Sequence, residues 1–304
     1  MALIALPHSF SIPFLRFKWM PIGLLCAMLA AVIIGWKNIG LNLGVDFRGG
    51  TMMELRMNKP RELNVLRAQL RQETGHEVSV QSMGSAPGEI LLRTDVQSPE
   101  MLQKVRSVIG KDAVYHKVES IGPKVGKELI KSGCYAIFWA LLGMMAYVWV
   151  RFEWQFSICA LVALIHDCLG LLAFFMWTRF EFNESAVVAI LITAAYSIND
   201  TVVIFDRLRE NRSQKRDATF PDLVNASLNE TLSRTLLTSS TALMALTMLY
   251  FFGGEVIAAL SLPILVGIMI GTYSSVVIAV PLLVWLPISP LPSEHEVIHV
   301  DTGH

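Results

Sequence analysis

Apolar residues run almost unbroken through six stretches of the chain: Met20 to Trp36, Gly133 to Val150, Phe156 to Trp177, Ser185 to Phe205, Leu236 to Phe252 and Val256 to Leu286. A hydrocarbon core about 30 Å thick is crossed by roughly 20 apolar residues of helix, so each stretch reads as a transmembrane helix. The last is over-long and holds Pro263 and Pro281, which leaves its ends open. Between the first and second runs the pattern changes. Gly50 to Met57 reads as a strand, Pro60 to Thr74 as a helix, Glu77 to Met83 and Glu89 to Arg93 as strands, Pro99 to Ile109 as a helix, and Ala113 to Ser120 as a strand. Prolines sit at early turns of both helices, Gly75 and Gly110 stop them, and Ala86-Pro87-Gly88 closes the central hairpin. A βαββαβ order suggests a ferredoxin-like split βαβ module with two helices on one face of the sheet.

The fold class expected is therefore an α-helical polytopic membrane protein of six transmembrane helices, with an external α+β ferredoxin-like domain between the first and second. Residues 1–19 form an N-terminal segment, 20–36 the first span, 37–132 the external domain, 133–286 the bundle of the other five spans, and 287–304 a tail. Composition agrees: 53% of residues are hydrophobic and 16% charged, where a soluble domain has about 25% charged, and the mean hydropathy is +0.51.

Arg16 and Lys18 precede the first run, Arg151 follows the second, and Arg207, Arg209, Arg212, Lys215 and Arg216 follow the fourth, whereas Arg179 to Glu184 and Gly253 to Glu255 are poor in basic residues. The positive-inside rule then puts both termini in the cytoplasm. The opening MALIALPHSF is too short for a signal peptide and lacks an A-x-A site, so the first run reads as a retained anchor. All four cysteines fall inside predicted spans without ligand spacing, so neither a disulfide framework nor a metal site is expected. A net charge of +0 gives no reason to invoke nucleic acid. In the external domain His76 and His116 stand alone, with no nucleophile, base and orienter set around them.

Chemistry concentrates inside the spans. Asp200 lies in the fourth, where a charge costs about 2.5 to 3.5 kcal/mol on insertion scales. Helical spacing puts Thr193, Tyr196 and Ser197 on its stripe. The third span carries His166 and Asp167, with Gly170 one turn on, and the fifth enters with Arg234, followed by Thr238 and Thr241. Acids, a histidine, an arginine and hydroxyls are the components of a proton relay. A carboxylate that alternately meets an open cavity and an arginine can exchange a proton. Each residue also has a structural reading: Arg234 as a snorkelling anchor, Asp167 as a permanently bonded acid, His166 as packing, Asp200 as half of an ion pair, and the basic run as a topology signal or docking surface. Gly267 and Gly271 make a small-xxx-small pair suited to helix packing.

With LGVDFRGGT at Leu43 to Thr51, AYSINDTVVIFDRLREN at Ala195 to Asn211, TLSRTLLTS at Thr231 to Ser239, FFGG at Phe251 to Gly254 and GIMIGTYSS at Gly267 to Ser275, the chain resembles the SecF side of the bacterial SecD/SecF family over nearly its whole length. Asn199-Asp200 favours that side. Ala195 stands where a glycine is expected, and the first 15 residues match nothing. The resemblance implies half of an RND-type transporter of 12 spans, paired with SecD, working with the SecYEG channel and often with YajC and YidC. Such a pair is implied to use the proton-motive force to drive late-stage translocation of unfolded preprotein across the inner membrane, pulling it out on the outer side, with no cofactor and no covalent catalysis. It implies that Asp200 and Arg234 couple to proton flow with Asp167 in support, and that Tyr196, Ser197, Asn199, Thr238 and His166 are supporting polar groups. Gly44, Gly49 and Gly50 would shape the junction with the external sheet, and Asp46 and Arg48 would carry a hinge contact. Two rivals are an intramembrane aspartyl protease, with Asp167 and Asp200 sharing a proton, and half of an RND-type small-molecule exporter. SINDT departs from the GxGD pattern of the first, and a single six-span half lacks the second external domain of the other.

Overall fold

The computed structural model describes residues 12–17, 19–57, 62–76, 78–82, 88–94, 98–110, 113–215 and 217–287. In chain order the elements are α1 (Met20–Asn38), α2 (Val45–Arg48), β1 (Gly50–Met57), α3 (Leu63–Thr74), β2 (Val78–Ser82), β3 (Glu89–Thr94), α4 (Pro99–Ile109), β4 (Ala113–Ile121), α5 (Pro123–Arg151), α6 (Trp154–Thr178), α7 (Glu184–Gln214), α8 (Phe220–Phe252) and α9 (Gly254–Ser274). Among the described residues six helices are long and apolar enough to cross a membrane, the sixth being α9 with its extension to Trp285. All six predicted runs fall in them, and the chain is a multi-pass membrane protein.

The helices outrun the apolar stretches. α5 starts at Pro123 rather than Gly133, α7 carries on through most of the basic run to Gln214, and α8 starts at Phe220 rather than Leu236. Hydropathy marks where lipid ends, whereas a helical ladder of N–H to C=O bonds continues wherever residues such as Glu, Lys and Arg favour it. Ion pairs knit this polar end of the bundle: Arg151 to Asp206 at 2.7 Å, Arg212 to Glu153 at 2.7 Å, and Arg207 and Lys215 to Glu230 at 2.6 and 3.1 Å. Much of the basic run is thus spent on the chain's own acids. Lys18, Arg216, residues 1–11 and residues 288–304 lie outside the described residues.

The four strands form one antiparallel sheet in the order β2-β3-β1-β4. Alternation along each strand sends Met53, Leu55, Met57, Val78, Val80, Ile90 and Leu92 to one face, where they bury against Leu66 and Leu70 of α3 and Val105 and Ile109 of α4. This is the expected βαββαβ order with both helices on one face. Gly75 at φ 72° ends α3, a left-handed stop that a side chain resists. Ser98 caps α4, accepting from the Glu100 amide, with Pro99 in the first turn. Pro60, Ala86 and Pro87 lie outside the described residues.

The sheet is fastened to one end of the bundle. Gly44 N donates to Phe182 O and Phe182 N to Asn42 O, both at 2.8 Å, so the α1–α2 linker pairs with the α6–α7 loop. In that loop Arg179 turns at φ 58° and sends Nη1 to Ile39 O at 2.8 Å, taking up a free carbonyl just past the end of α1. Gly126 on α5 lies directly against the backbone carbonyl of Phe47 in α2, an approach that a Cβ would block. Gly49 takes φ 84°, the left-handed turn into β1. Arg93 of β3 pairs with Glu181 at 3.3 Å, and the Ser82 amide of β2 donates to Glu255 at the head of α9 at 2.9 Å.

Small residues set the packing of the bundle. A Cβ on Gly267 would run into the Thr193 hydroxyl, and one on Gly271 would sit 2.9 Å from Ser197 Cβ, so α9 lies on α7 through this pair. Gly170 of α6 likewise admits Ile270 of α9 and Met28 of α1. Beyond α9 the chain makes a π-helical turn, Ser275–Ala279, before Pro281. Proline has no N–H and its ring displaces the carbonyl four residues earlier, and the widened turn accommodates both.

Candidate functional site

The helical period of α7 turns Thr193, Ser197 and Asp200 into the bundle, where Asp200 is only 4% exposed. Tyr196 is half-buried on the flank and Asn199 faces outward. Asn199 therefore stands apart from the buried stripe, its sequence neighbour Asp200 notwithstanding, because adjacent helical residues point about 100° apart.

On α6, His166 and Asp167 are both fully buried. Asp167 Oδ2 accepts the Ser197 hydroxyl at 2.5 Å across the α6–α7 contact, and Oδ1 lies 3.2 Å from His166 Nδ1. On the other side of the ring, His166 Nε2 lies 3.0 Å from the Tyr273 hydroxyl of α9, with the rings edge to face. Ser197, Asp167, His166 and Tyr273 thus form a continuous polar chain through three helices. Tyr273 escaped the reading of polar residues one span at a time. Its only trace in the sequence was its place in GIMIGTYSS.

Asp200 is placed differently. Its Oδ2 is buried with no hydrogen-bond donor among the described residues, an arrangement rare enough in proteins to need a reason. Arg234 on α8 is the cation whose charge bears on it, yet Arg234 is exposed and no ion pair joins them among the described residues. The expected direct meeting of Asp200 with Arg234 is absent from this conformation. Nor do the hydroxyls one and two turns along lead toward the acid: Thr238 bonds to the carbonyls of Arg234 and Thr235, and Thr241 to that of Thr238, folding back on their own helix. A different pair joins α8 to α9, Ser239 to Thr272 at 2.8 Å. The Thr193 and Tyr196 hydroxyls, like Asp200 Oδ2, are buried without partners among the described residues, which leaves three unsatisfied groups along α7.

The geometry separates two kinds of acid. Asp167 has both oxygens engaged, which suits a fixed structural group; Asp200 has one oxygen bare, and a proton placed on it removes a buried charge. Asp167 and Asp200 make no hydrogen bond to each other among the described residues, so they do not form a proton-sharing dyad here. Gly44 joins the α6–α7 loop through its amide, Gly49 makes the turn into β1, and Gly267 and Gly271 lie at the α7–α9 contact. Asp46 is half-buried in α2 and Arg48 exposed beside it.

Residues 101–288 match the C-terminal domain of the SecD/SecF protein-export membrane proteins, and residues 38–60 match the SecD/SecF GG motif. Protein translocase subunit SecF of Desulfurispirillum indicum is 38% identical over 290 residues, covering 91% of this chain and 92% of that protein. Its counterpart in Rickettsia rickettsii is 37% identical, with the same coverage. Protein translocase subunit SecDF of Brucella abortus is 38% identical over 93% of this chain but 38% of its own length. The crystal structure of SecDF from Thermus thermophilus, a translocon-associated membrane protein, superposes with a TM-score of 0.74 at 31% identity, over 94% of this chain and 39% of that one. The chain spans about two fifths of these longer SecDF proteins.

Proposed function

Because this chain belongs to the SecD/SecF family of protein-export membrane proteins, we propose that it is the SecF-like subunit of a protein translocase, acting with a SecD partner at the Sec channel. It sits in the inner membrane with both termini cytoplasmic and the β1–β4 sheet outside, the arrangement favoured by the basic residues around Arg151 and Arg207–Lys215. SecYEG, YajC and YidC are its wider partners and unfolded preprotein its client. The work is conformational and involves no covalent catalysis.

In this reading Asp200 is the proton carrier. Protons moving down their gradient deliver about 2.3 kcal/mol per charge per 100 mV of membrane potential, and an acid that takes one up inside the bundle converts that gradient into a change of packing. The observation that carries the reading is the bare Oδ2 of Asp200 beside the fully bonded chain of Ser197, Asp167, His166 and Tyr273. Arg234 supplies the opposite charge when Asp200 is ionised, and Asp167 keeps α6 and α7 in register while this happens. Tyr196 and Thr193, unsatisfied on the same stripe, line the approach to the acid.

The test is export in membrane vesicles carrying Asp200→Asn with its SecD partner. The variant inserts and binds its partner, and the proton-dependent phase of preprotein export is lost. Normal late-stage export by Asp200→Asn would refute the assignment.

A further inference from the structure

At the junction between sheet and bundle lies a cleft of about 510 Å³. Its wall carries four arginines, Arg48 of α2, Arg67 and Arg71 of α3 and Arg93 of β3, against one acid, Glu181. Glu181 is engaged with Arg93 at 3.3 Å, so Arg48 and Arg67 line the cleft with no carboxylate paired to them among the described residues. Arg67 spends one N–H on Val80 O and one on Asn64 Oδ1; a guanidinium has five, so donors remain. Arg93 Nε is buried and has no acceptor among the described residues, whereas buried donors are normally paired.

The height of the cleft is set by two exposed tryptophans. Trp36 closes the apolar part of α1 and Trp177 that of α6, where its Nε1 donates to Ala31 O. Indoles at the ends of spans mark the boundary between hydrocarbon and headgroups. The cleft opens a few residues past both, among Asn42 to Val45 and at Glu181, the level of headgroup phosphates when the two indoles sit at the interface. A planar guanidinium binds phosphate oxygens in pairs, and several around one cavity neutralise the anion as they hold it.

We propose that this cleft binds the phosphate-bearing headgroup of an anionic phospholipid, seating the lipid between the sheet and the ends of α1 and α6. The site rests on α1 and α6 crossing the membrane and is independent of proton coupling at Asp200. A lipid held there would brace the junction through which the sheet is attached.

The experiment uses the full chain with its SecD partner, purified in mild detergent and exchanged with phosphatidylglycerol or phosphatidylcholine, with retained lipid counted by native mass spectrometry. Phosphatidylglycerol is retained in preference, and Arg48→Gln lowers its affinity about tenfold, the loss expected for a charged hydrogen bond. Lys37→Gln, which removes an exposed charge near the end of α1 but outside the cleft, leaves retention unchanged. Ser79→Phe, which keeps every charge and fills the cleft from β2, lowers retention as Arg48→Gln does, so a folding defect in one variant does not decide the matter. Equal losses from Lys37→Gln and Arg48→Gln would overturn the proposal, as would retention of both lipids alike. Inorganic phosphate binding with no lipid retained would overturn the lipid assignment.

Discussion

The Ser197 hydroxyl donates to Asp167 Oδ2 at 2.5 Å across the α6–α7 contact, and this bond divides the two interior acids into one that is satisfied and one that is not. Three residues further along α7, Asp200 Oδ2 has no donor. The division predicts opposite stability effects. Ser197→Ala strands a buried carboxylate oxygen and destabilises the protein by about 1–3 kcal/mol, read as a lower thermal midpoint in detergent. Asp200→Asn removes an unpaired charge and leaves the midpoint at or above the wild type while abolishing proton-dependent export. A large stability loss in Asp200→Asn would mean that the acid is structural.

Since no ion pair joins Arg234 to Asp200 among the described residues, the proposed coupling predicts that charge rather than the planar fork of the guanidinium matters at that position. Arg234→Lys should retain most proton-coupled export and Arg234→Gln lose it, measured as the dependence of translocation rate on the imposed proton gradient. A lysine variant as dead as the glutamine would point to bidentate contact in another conformation.

The close fit of Gly267 on Thr193 predicts a compensating pair. Gly267→Ala overpacks the α7–α9 contact and costs roughly 1–3 kcal/mol. Adding Thr193→Ala removes the hydroxyl that the new methyl meets and recovers much of that loss, a coupling of about 0.5–3 kcal/mol in a double-mutant cycle. Additive effects would show that the two helices do not meet there.

Glu255→Ala removes the acceptor for the Ser82 amide at the edge of the sheet. Hydrogen exchange at that amide should then quicken by roughly two- to tenfold, the worth of a hydrogen bond of about 0.5–1.5 kcal/mol, with β1 unaffected. Unchanged exchange at Ser82 would remove the direct tie between β2 and α9.

Much of the architecture was legible because its signals are local. Six apolar runs found six helices, and Pro99, Gly75 and Gly110 fixed helix ends in the sheet domain almost to the residue. The stripe of Thr193, Ser197 and Asp200 follows from the 3.6-residue period. Partners across helices do not follow from it. Nothing in the spacing of α6 joins His166 to Tyr273, more than a hundred residues away, and nothing tells whether the hydroxyls of Thr238 and Thr241 serve a neighbour or, as here, their own backbone. The lengths of α7 and α8 were underread because hydropathy reports the solvent, whereas Arg207, Glu210 and Glu230 beyond the lipid still favour helix and pair with one another.

The widened turn at Ser275–Ala279 divides the sixth span into two mechanically unequal rods. From Glu255, where β2 is tied on, α-helix runs for about 30 Å to the turn. Pro263 interrupts the hydrogen-bond ladder of the first rod, and Tyr273, the α9 partner of His166, stands directly before the wider turn, so the contact between α6 and α9 lies at the boundary between the two rods.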